Sequence, residues 1–341
     1  MVLAVALVLV GCTQAPAGNG TGNGNGPLTV DPRLTDPAIP TDLVFPHIVQ
    51  GPTAAPRGRL AVVLHGSGAN PQGYTELIAA LANDGYHVVG LRYNALLPSL
   101  GACPDADADQ DPDCHRTFRG ETVFGQGVPD PAGHAFDHPI AFVPKASSVM
   151  NRLLRLVAYI STNYPSAGFG QFLRQTASGT CTSPNTTYGT CDVDWSKVVL
   201  MGHSQGAAVA LYLAKFFAVD RVGLMSGTYD AYALGAGVYS AAPWLTDGPL
   251  AVPTSRIGWF VSTRDPEVGR LRAVATALAL SGQETDVTTT ARPFGGSHRL
   301  VSSTTPSCPF DTAQNHNSTA VDLCVPDGLY VAAWRYLAGG S

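Results

Sequence analysis

A serine flanked by glycines stands between a strand and a helix predicted from this sequence. The segment Gly202-His203-Ser204-Gln205-Gly206 follows the apolar run 197–201 and precedes an alanine-rich helical stretch. A G-x-S-x-G pentapeptide in this context is typical of a sharp turn that exposes a serine hydroxyl for nucleophilic attack. Larger side chains at the flanking positions would collide with the strand and the helix. Ser204 is therefore the candidate nucleophile, and a buried serine on an ordinary glycine-rich turn is the alternative.

The elements that must position this serine alternate along the chain. Continuous apolar runs, typical of strands buried on both faces of a parallel sheet, predict strands at 60–64, 87–91, 197–201, 221–225, 257–261 and 286–291. Helical spacing of apolar residues lies between or after them, at 74–84, 146–163, 207–218, 268–280 and 328–337. This alternation predicts an α/β fold with a doubly wound, mostly parallel sheet. The stretch 94–144 lacks clear periodicity and is predicted to be a long loop insertion.

The composition excludes several classes of protein. Of 341 residues, 13% are charged and 45% are hydrophobic, whereas disordered chains are rich in charge and poor in apolar residues. A net charge of -5 provides no basic surface for nucleic acid, so no nucleic-acid partner is expected. The one apolar run near membrane length, at the N-terminus, is too short to span a bilayer.

That N-terminal run indicates export. Residues 1–10 are apolar like the core of a secretory signal, and Leu9-Val10-Gly11-Cys12 resembles the lipobox of bacterial lipoproteins. The resemblance implies cleavage before Cys12, a lipid on its thiol, and a place in the bacterial cell envelope with the anchor as the only membrane contact. An ordinary signal peptide with an incidental cysteine, giving a secreted protein, is the alternative. The predicted organisation is a signal at 1–12, a glycine-rich tether and extension at 13–58, and a catalytic domain at 59–341.

The other six cysteines fall into three pairs that are close in sequence. An exported chain meets an oxidising compartment, where disulfides persist. Six cysteines allow 15 pairings, and proximity in the sequence favours the three local ones. Metal binding is the alternative, and it is disfavoured because no Cys-x-x-Cys spacing is present. The predicted pairs are Cys103/Cys114, Cys181/Cys191 and Cys308/Cys324.

The chain from Arg59 onward resembles the α/β-hydrolase superfamily. The features that carry the resemblance are the His65-Gly66 loop after the first strand, the Ser204 turn, and a later acid and histidine in that order. The resemblance implies a Ser-His-Asp triad that hydrolyses carboxylic esters, small or lipid-like, through an acyl-enzyme, with neither metal nor organic cofactor. A fold of this type that has lost its activity and only binds, and a peptidase or acyltransferase using the same triad, are the alternatives.

The resemblance also implies the groups around the nucleophile. One backbone N–H of the oxyanion hole would come from Ser67 or Gly68, and the other from Gln205. A plain turn at the strand end is the alternative for the first loop. His203 would face away from the nucleophile in a packed, hydrogen-bonded position.

The acid is expected just after the strand at 257–261. Asp265 follows that strand by four residues, where its carboxylate would orient the histidine and stabilise the imidazolium. Asp265-Pro266 is also a good helix start, so a helix-capping role is the alternative. Asp230, after the preceding strand, is the reserve candidate.

Two late histidines compete for the role of base. His298 follows the expected last strand by seven residues, in a small-residue segment, and is slightly favoured. His316 precedes the closing helix, has Asp322 six residues on, and lies between Cys308 and Cys324. The histidine that is not the base is expected near the site or on the surface.

Two further patterns in the sequence are weaker indications of binding sites. The alternating acids at 104–113 could bind Ca²⁺ but lack the glycine and terminal glutamate of a calcium loop, so a solvated acidic loop is favoured. Four aromatic residues after the fourth strand could form an apolar wall of the substrate cleft or could pack within loops: Tyr229, Tyr232, Tyr239 and Trp244.

Overall fold

A nine-stranded mixed sheet organises the molecule. The structure is a computed structural model that describes residues 26–40, 45–175, 191–305, 308, 314–325 and 328–340. The strands are β1 (Leu28–Val30), β2 (His47–Gln50), β3 (Leu60–Leu64), β4 (His87–Leu91), β5 (Leu173–Gln175), β6 (Cys191–Val193), β7 (Val198–His203), β8 (Arg221–Met225), β9 (Ala231–Gly235), β10 (Val238–Ala241), β11 (Ile257–Ser262), β12 (Thr285–Asp286) and β13 (Arg299–Ser302). The main sheet has the order β1-β2-β4-β3-β7-β8-β11-β13-β12, and β9/β10 and β5/β6 form two small antiparallel pairs.

Helices cover both faces of the main sheet. They are α1 (Pro32–Thr35), α2 (Thr75–Ala82), α3 (Ser99–Ala102), α4 (Asp107–Gln110), α5 (Cys114–Phe124), α6 (Val149–Asn163), α7 (Gln205–Phe216), α8 (Val268–Ala277), α9 (Gln314–Asn317) and α10 (Val331–Leu337). In β3, Leu60, Val62 and Leu64 pack into the core with α6, α7 and α8, whereas Ala61 and Val63 pack into the core with α2 and α10. Burial on both faces explains why β3 is a continuous apolar run.

The strand directions define the type of fold. The pairs β1/β2 and β2/β4 are antiparallel, and every pair from β4 to β12 across the sheet is parallel. The fold is a doubly wound α/β sheet of the α/β-hydrolase type, which confirms the predicted fold class. Because the strands from β3 to β11 run in parallel, the loops at their carboxyl ends meet at one edge of the sheet.

The prediction of the last strand was wrong. In place of the predicted strand at 286–291 the structure has the two-residue β12, and the true last strand, β13, begins eight residues after position 291. Asp286 turns the chain away from the sheet because its carboxylate accepts hydrogen bonds from the backbone N–H (2.8 Å) and the hydroxyl (2.6 Å) of Thr288, a turn that aspartate favours. β13 was missed because only two of its four residues are apolar.

The folded domain begins earlier in the chain than predicted. β1 and β2 extend the main sheet as its antiparallel edge, so a domain boundary at residue 59 falls inside the sheet. The first described element of the extension, β1, begins at Leu28. Residues 1–25, with Cys12 and the predicted signal, lie outside the described residues.

The insertion at 94–144 forms short helices rather than strands. The disulfide Cys103–Cys114, with an S–S distance of 2.05 Å, joins α3 to α5. Asp105 in its loop receives two hydrogen bonds from Arg270 of α8, at 2.6 and 2.7 Å. The insertion is thereby fixed to the carboxyl edge of the sheet, and the Cys103–Cys114 disulfide confirms the predicted pair within it.

The remaining cysteines support the local pairing in part. Cys308 and Cys324 form a disulfide, as predicted. The prediction for Cys181 and Cys191 cannot be placed, because Cys181 lies outside the described residues. Among the described residues, no helix is both long and apolar enough to cross a membrane.

Candidate active site

Ser204 lies on a strained turn between β7 and α7. Its backbone has φ +55° and ψ -119°, a conformation that non-glycine residues rarely adopt and that clusters at functional sites. The turn is held by the Ser204 N–H, which donates to the Met225 carbonyl of β8 at 2.8 Å. A Cβ on Gly202 would lie 2.2 Å from the Gly206 carbonyl, and one on Gly206 would lie 2.1 Å from the Leu64 carbonyl. The close approach of strand and helix therefore requires both glycines.

Asp265 and His316 form a hydrogen-bonded pair at the same edge of the sheet. Asp265 follows β11, and its Oδ2 lies 2.7 Å from His316 Nδ1 on α9. Asp265 is 2% exposed and His316 is 9% exposed. Burial acts to raise the pKa of Asp265, but hydrogen bonds from His316, the Glu267 backbone and Tyr229 outweigh it and lower the pKa below its ordinary value. The carboxylate is thus ionised and aligned to hold a proton on Nδ1.

The helix-capping alternative for Asp265 was wrong, because α8 begins at Val268 with Glu267 as its N-cap and without a side-chain cap. Asp265 Oδ1 accepts a hydrogen bond from the Glu267 N–H at 2.9 Å, which stabilises the turn that leads into α8. The other oxygen is left for His316. The turn contact fixes the carboxylate in the orientation that the histidine needs.

Tyr229 joins the Asp265–His316 pair from the loop after β8. Its hydroxyl donates to Asp265 Oδ1 at 3.1 Å, and its oxygen lies 2.7 Å from His316 Nδ1. Burial and the adjacent Asp265 carboxylate raise the pKa of Tyr229, so the phenol stays protonated and remains a donor. From the sequence, Tyr229 was expected either in an apolar wall of the cleft or in loop packing, and its contact with the Asp265–His316 pair was not predicted.

His203 supports the backbone of His316. Its Nε2 donates to the His316 carbonyl at 3.2 Å, and its Nδ1 accepts from the Tyr74 hydroxyl at 2.9 Å. Tyr74 in turn accepts from the Gly66 N–H at 2.9 Å. This chain needs a neutral ring, and burial together with the neighbouring His316 lowers the pKa of His203 to about 3. The structure therefore places His203 in the packed, hydrogen-bonded position that the resemblance implies.

His298, the favoured base in the sequence, lies at the wrong edge of the sheet. It immediately precedes β13, so it stands at the amino edge of the parallel strands, whereas Ser204 follows the carboxyl end of β7. Its Nδ1 is bonded to the Ile257 carbonyl at the start of β11, at 2.8 Å. The preference for His298 depended on a strand at 286–291, and it fails because the true strand comes after this histidine.

Not every backbone N–H group expected in the oxyanion hole is free to bind an oxyanion. The Gly68 N–H donates to the Ala95 carbonyl at 2.8 Å, so the structure contradicts Gly68 as a donor. Gln205 is the first residue of α7, and the N–H of a first residue has no acceptor within its helix. The Ser67 hydroxyl donates to Gln205 Oε1 at 2.7 Å and holds the two segments together. Ser67 and Gln205 remain the candidate pair.

Asp230, the reserve acid, is an internal ion-pair residue. It is fully buried, accepts from Arg119 Nε at 3.0 Å and Nη2 at 2.6 Å, and accepts from Trp244 Nε1 at 3.1 Å. Burial acts to raise the pKa of Asp230, but Arg119 and the other partners lower it. The carboxylate is committed to fixing α5 of the insertion to the domain.

A cavity of about 320 Å³ opens beside the serine. Ser67, Ser204, Tyr229 and His316 all border it. The remaining lining residues come from the segment between β3 and α2, the insertion, the end of β7, the segment after Asp265 and α9: Gly66, Ala69, Tyr74, Pro98, Ser99, Leu100, His203, Pro266 and Asn317. The structure thus brings Ser204, Asp265 and His316 to one edge of the sheet and leaves His298 and Asp230 out.

The wall that the insertion contributes to the cavity was not predicted from the sequence. Pro98, Ser99 and Leu100 line the cavity, and their position after β4 was the available signal, since loops at the carboxyl ends of parallel strands share one edge. Of the four aromatic residues proposed for an apolar wall, only Tyr229 lines the cavity. Trp244 is buried against Asp230, and the Tyr232 hydroxyl points to the Pro112 carbonyl.

Metal ligands do not assemble at this edge among the described residues. The one described group with suitable spacing is Cys103, Cys114 and His138, and both cysteines are consumed in a disulfide. The acidic loop at 104–113 brings together no such group, and its Asp105 is paired with Arg270.

Comparisons with known proteins add little to this geometry. No family model and no curated protein matches the chain. Among solved structures, an acetyl xylan esterase from Aspergillus awamori aligns at 13% identity with a TM-score of 0.37, over 75% of this chain and 81% of that one. TT1662 from Thermus thermophilus aligns at 15% identity with a TM-score of 0.34, over 75% and 82% of the two chains. An esterase domain from Rhodothermus marinus aligns at 15% identity with a TM-score of 0.32, over 74% and 82%. Similarities this low carry no conclusion about the chemistry of the chain.

Proposed function

We propose that the chain is a serine hydrolase of carboxylic esters, with Ser204 as nucleophile, His316 as base and Asp265 as the acid that orients it. The single observation that carries the proposal is the Asp265–His316 hydrogen bond of 2.7 Å beside a serine with φ +55° in the same cavity. Nucleophile, base and orienting acid are the three roles that activate a serine hydroxyl.

The reaction follows from the roles of these groups. His316 holds its Nδ1 proton toward Asp265, which leaves Nε2 free to take the Ser204 proton as the serine oxygen attacks the ester carbonyl. The N–H groups of Ser67 and Gln205 stabilise the oxyanion. His316 then gives its proton to the leaving alcohol, and a water molecule, activated in the same way, releases the acid from Ser204.

The cavity favours small esters over long acyl chains. Its volume of about 320 Å³ is near the lower end of the range for small-molecule sites. A series of esters of increasing acyl length should show turnover falling beyond short chains. Peptide substrates tested beside the esters distinguish a peptidase, and transfer to an added alcohol distinguishes an acyltransferase.

Covalent labelling tests the proposal without knowledge of the substrate. A fluorophosphonate should add to the folded protein once, and peptide mapping should place the adduct on Ser204. Ser204→Ala is the matched control and should remain unlabelled. Absence of labelling on folded wild-type protein would favour the alternative of an inactive binding protein and contradict the enzyme.

We also propose that the protein is exported and anchored in the bacterial envelope by a lipid on Cys12. The support is the apolar run at 1–10, the Leu9–Cys12 pattern and the glycine-rich segment after it. Expressed in a bacterium, the wild type should fractionate with membranes and Cys12→Ser should not. Equal fractionation of the two would contradict the anchor.

A further inference from the structure

Ser99 brings a buried hydroxyl to the wall of the cavity. It is 4% exposed, begins α3, and lies between Pro98 and Leu100 on the same wall. Its oxygen accepts a hydrogen bond from Arg119 Nη2. Within the described part of the chain, no acceptor is present for its proton. A buried donor without a partner is unfavourable, so this hydroxyl is prepared to donate to something that enters the cavity.

Arg119 strengthens that donor without giving the wall a net charge. The guanidinium is fully buried behind Ser99 and is paired with the Asp230 carboxylate at 2.6 Å. A hydroxyl whose oxygen accepts from a cation becomes a better donor through its own proton. Because Asp230 balances the charge of Arg119, the wall suits a neutral oxygen acceptor rather than a carboxylate.

Asn317 supplies a second unused polar group. It lines the cavity one residue after His316. Its backbone carbonyl accepts from the N–H groups of Ala320 and Val321, at 3.2 and 2.9 Å, which fixes its position. Its side-chain amide makes no hydrogen bond to any residue that the structure describes. An amide both donates and accepts, so it can bind a hydroxyl or an ether oxygen.

The other polar side chains around Ser204 are already paired. The Tyr74 hydroxyl links Gly66 to His203, the Ser67 hydroxyl donates to Gln205, and the Tyr229 hydroxyl donates to Asp265. Apart from Ser204 and His316, the polar lining side chains that other described residues leave available to a substrate are those of Ser99 and Asn317.

We infer that Ser99 and Asn317 form a polar subsite that binds a neutral oxygen of the substrate other than the ester oxygens. The inference rests on the proposed function and names the class of substrate. That class is an ester whose acyl or alcohol part carries an ether or hydroxyl oxygen a few bonds from the reacting carbonyl.

Two pairs of isosteric esters test the subsite. Ethyl methoxyacetate and ethyl butyrate differ by one oxygen in the acyl part, and 2-methoxyethyl acetate and butyl acetate differ by one oxygen in the alcohol part. For each pair, the ratio of kcat/KM is divided by the ratio of the hydroxide-catalysed rates, which removes intrinsic reactivity. The wild type should prefer the oxygen-bearing ester in at least one pair by roughly tenfold, as expected for one or two hydrogen bonds.

Substitutions assign the preference to the two residues. Ser99→Ala and Asn317→Ala should each reduce the corrected ratio by roughly fivefold, whatever they do to overall turnover. Ser147→Ala is the matched control, since Ser147 is also a buried serine that receives a hydrogen bond from a buried arginine, Arg152. Ser147 is absent from the described lining of the cavity, so its variant should keep the wild-type ratio.

The outcomes separate the subsite from the proposed function. Corrected ratios near one in both pairs for the wild type, or ratios that neither cavity variant changes, would overturn the subsite. If the fluorophosphonate labels Ser204 in that case, the hydrolase proposal stands. If no ester is turned over and Ser204 is not labelled, the proposed function fails instead.

Discussion

Two aspartates that follow neighbouring strands each face a histidine, and their surroundings differ. Asp230 follows β8 and lies 3.4 Å from His115 Nδ1, and Asp265 follows β11 and lies 2.7 Å from His316 Nδ1. Asp230 and His115 are completely buried, and Arg119 donates to the carboxylate. The Asp265–His316 pair contains no cation other than the histidine itself, and His316 borders the cavity.

The difference shows why one pair suits catalysis and the other suits structure. The arginine paired with Asp230 repels a protonated His115 and opposes the attraction that the carboxylate exerts on it. Burial, together with Arg119, lowers the pKa of His115 to about 4 against the opposing effect of Asp230, so His115 stays neutral near pH 7. Asp265 instead directs its attraction to His316, where a proton must come and go during the reaction.

The largest effect is expected at the base. His316→Ala should lower ester turnover on the order of 10⁴-fold or more, because the serine loses its proton acceptor. His298→Ala should stay within a few-fold of wild type, since His298 lies at the opposite edge of the sheet. Steady-state kinetics on one activated ester measure both. A loss confined to His298→Ala would reverse the assignment.

The next largest effect is expected on the free energy of unfolding when Asp230 is replaced. Asp230→Asn leaves the buried guanidinium of Arg119 without its counter-charge, at a cost of about 3–5 kcal/mol in the free energy of unfolding. Asp265→Asn leaves no buried arginine unpaired and should cost about 1–2 kcal/mol, as expected for a hydrogen bond. Urea unfolding of both variants makes the comparison. Equal losses would mean that Asp230 has no special structural role.

Acid should destabilise the fold through its neutral buried histidines. His115 and His203 bind a proton more weakly in the folded chain, with pKa values of about 4 and about 3, than in the unfolded chain, where histidine titrates near about 6.5. Protonation therefore favours unfolding, and stability present above pH about 6.5 is lost as the pH falls toward these folded values. At pH 5 each ring should account for about 2 kcal/mol. His115→Gln should reduce the difference between urea unfolding at pH 7.5 and pH 5 by that amount, and an unchanged difference would contradict a neutral His115.

The smallest effect is expected at Tyr229, whose hydroxyl contacts Asp265 and His316. Tyr229→Phe removes a hydrogen bond that helps to lower the pKa of Asp265 and to orient its carboxylate toward His316. We expect turnover to fall by about tenfold, on the scale of one hydrogen bond to a charged group. Tyr232→Phe is the control, because that hydroxyl points to Pro112. Steady-state kinetics measure both variants, and wild-type turnover in Tyr229→Phe would reduce Tyr229 to a packing residue.

The fold was largely predictable because its strands are buried on both faces. The bounds of β3, β4 and β8 agree with the apolar runs, and the two glycines around Ser204 are required by contacts that sequence reasoning could anticipate. β13 was not predictable, since its two ends are polar, and Ser302 is buried in contact with Tyr330 from a later part of the chain. Missing that strand moved His298 to the wrong edge and left the choice of base open.

The finer features of the site arise from contacts between distant segments. The Gly68 N–H donates to the Ala95 carbonyl, and the Tyr229 hydroxyl donates to the Asp265 carboxylate. Ser99 belongs to an insertion with no periodicity, and its place in the cavity depends on Arg119 and the Cys103–Cys114 disulfide. No local pattern around these residues encodes such partners.

The most direct test measures how Asp265→Asn and Asp230→Asn each change the reactivity of Ser204. The second-order rate constant for fluorophosphonate addition to Ser204, per folded molecule, reports activation of the nucleophile independently of the natural ester. Asp265→Asn should lower that rate constant on the order of 10³-fold or more, because the orientation and basicity of His316 are lost, and Asp230→Asn should leave it within a few-fold of wild type. An equal fall in both variants, or a fall in Asp230→Asn alone, would contradict the assignment of the Asp265–His316 pair to Ser204.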